Sequence, residues 1–416
     1  MLSPYLLPFA VSLLVTFGLT PVVRLLAMRH GLVVAPDERK VHDRPTPNIG
    51  GIAMIAGVLA ALGAAWAGGA LTDVFDSPSA PLGVAAAASI IFLVGLLDEL
   101  RKIDGVGVSA PAKLAGIVLA GGVLTLAGVS TVFFRVPFLG VFSLSPDLSS
   151  FVTVLWVAGM ANALNFIDGL DGLAAGVTAI AAGSFFLYGL QLDDAGVLAT
   201  GSIGPLLAVI TFGICLGFLP WNFHPAKIFM GDCGALLLGL LMAASTIAVG
   251  GATDAEYSGQ SFFFFAPLFI PLVILGVPIL DTAFAIVRRA TKRASPAAPD
   301  KEHLHHRLLR LGHGHRRSVL ILWTWTALLS ALVLVPAYTG RGNAVMPLAI
   351  FGLALLLFTV FHPGRRNGNG NGNGNGDGGD DDEIVLAAAS PEPDLALKSD
   401  EQRAGQAPGV EAVHRA

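Results

Sequence analysis

The residues of this chain equipped for chemistry fall in five short polar segments. The first, Pro36 to Gly51, carries Arg39, Lys40, His42 and Arg44 and closes on Pro45, Pro47 and Gly50-Gly51. Such a stiff, kinked stretch holds cations in place and lets backbone approach a phosphate, although its bases also serve to set topology. The second pairs Asp98 with Glu99, followed by Arg101, Lys102 and Lys113. Adjacent carboxylates suit a divalent cation or a proton acceptor. In the third, Asn162, Asn165 and Asp168 recur at spacings of three, which lines them along one helix face, and Asp171 follows after a glycine and a leucine. The fourth runs from Trp221 to Gly234, with Asp232 at the start of an apolar helix, where the helix dipole stabilises a carboxylate. Phe229 lies just before it, suited to stacking on a base or to anchoring at a membrane interface. The fifth is basic: His303, His305, His306 and Arg307, then His313, His315, Arg316 and Arg317. Zinc fits it poorly, because adjacent histidines on a regular helix cannot both face one ion and no cysteine is near. Anion binding fits better, with topology-setting charge as the alternative.

Together these segments offer acids for a divalent metal, bases for phosphates and an aromatic for a base. That set suits phosphoryl transfer between a soluble nucleotide and a lipid-borne phosphate. A transporter or flippase, the reading from another class, should instead hold ionisable groups near mid-membrane, where this chain has almost none.

The elements that must position these residues follow from composition. Of 416 residues, 54% are hydrophobic and 13% charged, against about 25% charged in an ordinary soluble domain. That balance excludes a soluble enzyme, a disordered protein and a nucleic-acid binder. Two cysteines, Cys215 and Cys233, make no disulfide framework. A spanning helix needs about 20 apolar residues. Eleven runs qualify: 4–28, 51–70, 81–97, 112–130, 150–166, 171–190, 198–219, 233–250, 262–287, 318–338 and 344–362. The first lacks a basic leader and a small-residue cleavage site, so it reads as a retained span. The expectation is an all-α polytopic membrane protein of about eleven transmembrane helices. With the N-terminus outside and the C-terminus cytoplasmic, 23 of the 25 Lys and Arg residues fall inside, leaving only Arg135 and Arg341 outside. All five polar segments then share the cytoplasmic face. Residues 1–366 form the transmembrane domain. Residues 367–416, opening on Asn-Gly repeats and an acidic run, have too little apolar surface to fold and read as a disordered cytoplasmic tail.

Four of the motifs carry a family resemblance: GLLDE (95–99), NALNFIDGLDGLAAG (162–176), NFHPAKIFMGDCGALLLG (222–239) and HLHHRL (303–308). In this order, over about residues 4–362, the chain resembles the polyprenyl-phosphate N-acetylhexosamine-1-phosphate transferases. It is most similar to the bacterial undecaprenyl-phosphate GlcNAc-1-phosphate transferase branch. The resemblance implies transfer of GlcNAc-1-phosphate from a UDP-N-acetylhexosamine to polyprenyl (undecaprenyl) phosphate, with UMP released, in the bacterial plasma membrane at the start of cell-envelope glycan synthesis. It implies Mg²⁺ as cofactor, with Mn²⁺ as a substitute. MurNAc-pentapeptide and GalNAc donors are the alternatives within the family. Gly/Ala-rich spans permit a homodimer.

By the same resemblance Asp232 is a metal ligand and Asn165 a second. Asp98, Glu99 and Asp168 belong to the catalytic group, with Asp98 either a base for, or a positioner of, the lipid phosphate. Asp171, Phe229 and Asn162 face the nucleotide, and Lys40, Lys113, His305, His306 and Arg307 hold phosphates. Two positions depart from the family pattern. Glu99 stands where Asp is usual, and Cys233 where a hydroxyl is usual.

Overall fold

Hydrocarbon offers no water to backbone amides, so a chain this apolar must close its hydrogen bonds within helices. The computed structural model describes residues 2–34, 46–103, 105–136, 140–250, 275–291, 308–309, 311, 313–339 and 345–361. Twelve helices appear among them. They are α1 (Ser3–Arg29), α2 (Gly51–Gly68), α3 (Thr72–Phe75), α4 (Ser79–Ile103), α5 (Ala110–Leu126) and α6 (Pro146–Ile167). After these come α7 (Leu173–Asp194), α8 (Gly204–Asn222), α9 (Gly231–Gly250), α10 (Gly276–Thr291), α11 (His315–Thr339) and α12 (Val345–Phe361). Eight of the described helices are long and apolar enough to cross a membrane. The molecule is a polytopic membrane protein. The expected runs 112–130 and 344–362 are shorter apolar helices, and the expected run 262–287 is described only from residue 275.

The all-α expectation needs one amendment, for two small antiparallel sheets. In the first, β1 (Val33–Val34) pairs with β2 (Thr46–Pro47), Val33 opposite Pro47. In the second, β3 (Phe133–Val136) and β4 (Gly140–Ser143) form a hairpin joining α5 to α6, Phe133 opposite Ser143.

Lipid tails are as apolar as leucine, so packing rather than hydrophobicity must hold these helices together, and small residues let backbones approach. Of the buried hydroxyls of α1, Ser12, Thr16 and Thr20, the first two face α2 and α8, where Gly57, Gly213 and Gly217 leave room for them. Ser12 and Thr20 satisfy their hydroxyls on their own helix, donating to the carbonyls of Phe9 (2.8 Å) and Thr16 (2.6 Å). At the centre stands α9, buried along nearly its whole length among α2, α4, α6 and α8. A Cβ on Gly95 of α4 would lie 2.5 Å from the Cys233 backbone, and one on Gly51 of α2 would lie 2.7 Å from Cys233 Sγ. Cys233 therefore fills a three-helix junction, its thiol donating to the Met230 carbonyl at 3.3 Å.

One boundary matters for function. The expected run ended at 97, but α4 continues to Ile103, so Asp98, Glu99 and Lys102 lie on the last turns of a helix rather than in a loop. Helical geometry sets Lys102 beside both acids, four and three residues back.

Candidate active site

Four helix ends and one extended segment meet at the same end of the bundle. The last turns of α4 contribute Asp98, Glu99 and Lys102, the first turn of α5 Lys113, the end of α6 Asp168, and the first turn of α9 Asp232. The extended segment 46–50 supplies Asn48.

Asp98 is buried (1% exposed) and fully engaged. It accepts from the Val108 amide at 2.7 Å, and from Lys102 and Lys113 at 2.8 Å each. Glu99, equally buried, accepts from the Asp232 amide (3.1 Å) and Lys102 (3.0 Å) on Oε1, and from Asn48 Nδ2 (2.5 Å) on Oε2. Asp232 is the more open carboxylate of the three; its Oδ2 meets Lys113 closely and Lys102 at 3.2 Å. Oxygens of Asp98, Glu99 and Asp232 lie within 4.8 Å of one another. Three carboxylate oxygens this close concentrate negative charge where a hard cation such as Mg²⁺ is favoured over a soft metal. The two ammonium groups bridging them show that the spot calls for positive charge.

Asp168, the C-cap of α6, completes the group. Part of the residue reaches solvent, yet desolvation, followed by the nearby carboxylates of Asp232, Glu99 and Asp171, pushes its carboxyl up to about 8. A cation among these carboxylates would reverse that shift. Asn165 stands one turn before it on the same helix. Asn162, a turn further back, donates to its own helix at Ala158 (2.8 Å) and lines a cavity with Lys113, Leu114 and Ile117.

Beside this group lies a second one. Asp171, 2% exposed, accepts on Oδ2 from the Ala226 amide (3.0 Å) and pairs with His224 Nδ1 (2.8 Å), while its own amide donates to His315 Nε2 (3.0 Å). The two imidazoles stack, centroids 4.5 Å apart at 24°. Near-parallel rings send their in-plane lone pairs side by side rather than toward one ion, so the trio forms a hydrogen-bonded clamp on Asp171 rather than a preformed metal site. Gly172, at φ +74, makes the turn into α7 in a conformation other residues resist, and its amide donates to Asn222 Oδ1 (3.0 Å). Phe229 is carried on an extended stretch whose amide donates to the Pro47 carbonyl at 2.8 Å, and whose carbonyl accepts from Gly50 at 2.9 Å.

Of the residues singled out in sequence, Asp98, Glu99, Asp168, Asp232 and Lys113 come together, and Asp171 adjoins them. Lys40, His305, His306 and Arg307 lie outside the described residues. Sequence reasoning missed Asn48, His224 and His315 as site-builders and left Lys102 without a role. The i,i+3 and i,i+4 spacing of Lys102 from the acids was the one signal available. The others are joined to the site only by the tertiary fold.

A model of glycosyl transferase family 4 matches residues 81–250, the stretch that holds most of the described site. The chain is 39% identical over 353 residues to the decaprenyl-phosphate N-acetylglucosaminephosphotransferase of Mycolicibacterium smegmatis, covering 83% of this chain and 85% of that protein. It is 37% identical over 317 residues to a probable undecaprenyl-phosphate N-acetylglucosaminyl 1-phosphate transferase of Bacillus subtilis, covering 76% and 80%. It is 33% identical over 356 residues to the phospho-N-acetylmuramoyl-pentapeptide-transferase of Desulforudis audaxviator, covering 79% and 97%.

Proposed function

The chain belongs to the polyprenyl-phosphate N-acetylhexosamine-1-phosphate transferases of glycosyl transferase family 4, and on that premise we propose that it transfers GlcNAc-1-phosphate from UDP-GlcNAc to polyprenyl phosphate. The observation that carries this reading is the meeting of Asp98, Glu99, Asp168 and Asp232 with Lys102 and Lys113 at one end of a membrane-spanning bundle. Higher identity to N-acetylglucosamine transferases than to the muramoyl-pentapeptide relative supports the choice of sugar.

In this reading a phosphate oxygen of the lipid attacks the sugar-linked phosphorus. A new P–O–P bond forms, the bond to UMP breaks, and its electron pair leaves with UMP. Asp232 would hold Mg²⁺, with Asp168 and Asn165 beside it. When bound, the cation supplies Lewis-acid neutralisation of the diphosphate. Lys113 and Lys102 neutralise phosphate oxygens, and Lys40, His305, His306 and Arg307 add to that role from the connecting segments. Asp98, whose oxygens already accept from Val108, Lys102 and Lys113, acts as a positioner of the two lysines. No base is required, because a phosphate monoester with a second pKa near 6 is largely dianionic at neutral pH. Asp171, clamped by His224 and His315, and Phe229 orient the nucleotide.

The site faces the cytoplasm of a bacterial plasma membrane in this reading, with eleven spans, N-terminus outside and C-terminus inside. Arg24, Lys102, Lys113 and Lys227 at the site end support that orientation. Residues 367–416 are a tail outside the catalytic domain 1–366.

The test uses detergent-purified protein with polyprenyl phosphate, Mg²⁺ and UDP-GlcNAc, UDP-GalNAc or UDP-MurNAc-pentapeptide, measuring UMP. UDP-GlcNAc should be the fastest donor, and Asp232→Ala should abolish exchange of labelled UMP into the UDP-sugar in folded protein. A faster rival donor would move the chain to another branch. Normal exchange by Asp232→Ala would remove that residue from the metal site.

A further inference from the structure

Asp232 begins its helix immediately after a turn that one short segment clasps. The Phe229 amide donates to the Pro47 carbonyl (2.8 Å), and the Gly50 and Gly51 amides donate to the carbonyls of Phe229 (2.9 Å) and Met230 (3.0 Å). Gly231 turns at φ +66, and any Cβ there would collide with the Asn48 carbonyl. The backbone on either side of Asn48 therefore grips the entry to α9. The Asn48 side chain reaches the other way, across to α4, and donates to Glu99 Oε2 at 2.5 Å. Glu99 Oε1 returns to α9 by accepting the Asp232 amide at 3.1 Å, and also takes Lys102 at 3.0 Å. A closed loop results: segment 46–50, Glu99, the Asp232 amide and back.

Both oxygens of Glu99 are thus engaged by neutral or cationic donors, in a side chain that is 2% exposed. An oxygen that accepts a backbone N–H and an ammonium has little left for a cation. An amide hydrogen-bonded to a buried carboxylate cannot drift, and outer partners of this kind set the orientation of the groups that do bind metal.

We propose that Asn48 is a positioning residue of the cation site: it holds Glu99 as a brace beneath Asp232, and Glu99 fixes the Asp232 backbone instead of ligating the ion. The proposal rests on the reading of Asp232 as the cation ligand, and adds a residue and a role which that reading does not contain.

The experiment measures Mn²⁺ affinity of the full-length detergent-purified protein by electron paramagnetic resonance, alongside steady-state kinetics. Asn48→Leu removes the donor while keeping the same branching of heavy atoms, and should weaken Mn²⁺ binding about tenfold, raising the half-activating Mg²⁺ concentration while leaving KM for the UDP-sugar within about twofold. Glu99→Gln alone removes the charge that holds Lys102 and the Asp232 amide, leaves Asn48 only a neutral amide partner, and should be equally weak. The reciprocal pair Asn48→Asp with Glu99→Gln keeps the net charge and rebuilds the contact in reverse. It should recover affinity to within about threefold of the native protein. If Asn48→Leu does not accumulate as a monodisperse species, Asn48→Ser, which keeps a donor on a shorter arm, takes its place with the same expected direction. Native Mn²⁺ affinity in the donor-loss variant would overturn the proposal. So would a reciprocal pair as weak as Glu99→Gln alone, since that marks Glu99 as a direct ligand. Loss of the underlying reading looks different: Asp232→Asn would then bind Mn²⁺ as well as the native protein.

Discussion

Replacing Asp98 by Asn separates two roles that a rate measurement alone would confuse. The carboxylate accepts from three donors, Val108 N–H at 2.7 Å and the two lysine ammoniums at 2.8 Å. Asn is nearly isosteric but has one acceptor oxygen and no charge; both lysines share Oδ2, so an Asn oriented to keep the Val108 bond on Oδ1 loses the two lysine bonds together with the charge. At about 1.5 kcal/mol for each hydrogen bond to a charged group, the loss is about 3 kcal/mol. If that is the cost of leaving Lys102 and Lys113 misplaced in the transition state, kcat/KM falls about 10²-fold. Removing a general base costs a similar amount, about 10²–10⁴, so the size of the effect decides nothing. The pH profile and a second variant do. As a positioner, Asp98 contributes no limb of its own, and the rise near pH 6 that belongs to the lipid phosphate persists in the variant. Because Asp98 acts through Lys113, Lys113→Gln in the Asp98→Asn background should then cost far less than Lys113→Gln in the native protein. UMP release from purified protein across pH 5–9 gives both answers. Disappearance of the acidic limb, or fully additive losses, would refute the positioning role.

Three further outcomes are expected. Asp168 titrates near 8 rather than 3.8, so the folded, metal-free protein binds a proton that the unfolded chain gives up; its stability should fall as pH rises from about 4 through 8. Mg²⁺ binding at pH 7 should release that proton, seen as a buffer-dependent heat in titration calorimetry and absent in Asp168→Asn. Gly95→Ala places a Cβ 2.5 Å from the Cys233 backbone, so α4 and α9 must part at a cost of about 1–3 kcal/mol; a native thermal midpoint for this variant would argue against the packing described. His224→Ala removes one holder of Asp171 (2.8 Å) and should raise KM for the UDP-sugar about fivefold, the equivalent of about 1 kcal/mol, with kcat little changed; a loss confined to kcat would place His224 in the chemistry instead.

The amino-acid sequence alone was enough for the membrane class, because spans are read from long apolar runs and nothing tertiary can disguise them. It was also enough for the acids and for Lys113, since hydrophilic groups at the ends of such runs are few and costly to desolvate. It placed Asp98 and Glu99 in a loop, because an apolar-run reading stops where charge begins. The helix continues to Ile103 because Lys102, one turn on, pairs with both acids. What belonged to the tertiary structure was adjacency. Asn48 and Glu99 are 51 positions apart, and Asp171 and His315 are 144 apart; no periodicity or local spacing links such pairs. The contact of Asn48 with Glu99 depends on glycines such as Gly95 and Gly51, which let α4 and α2 press against Cys233. Those same glycines read in sequence only as small residues among many. Helix ends can be found one at a time from composition, but which ends share a space is decided by how closely their backbones pack.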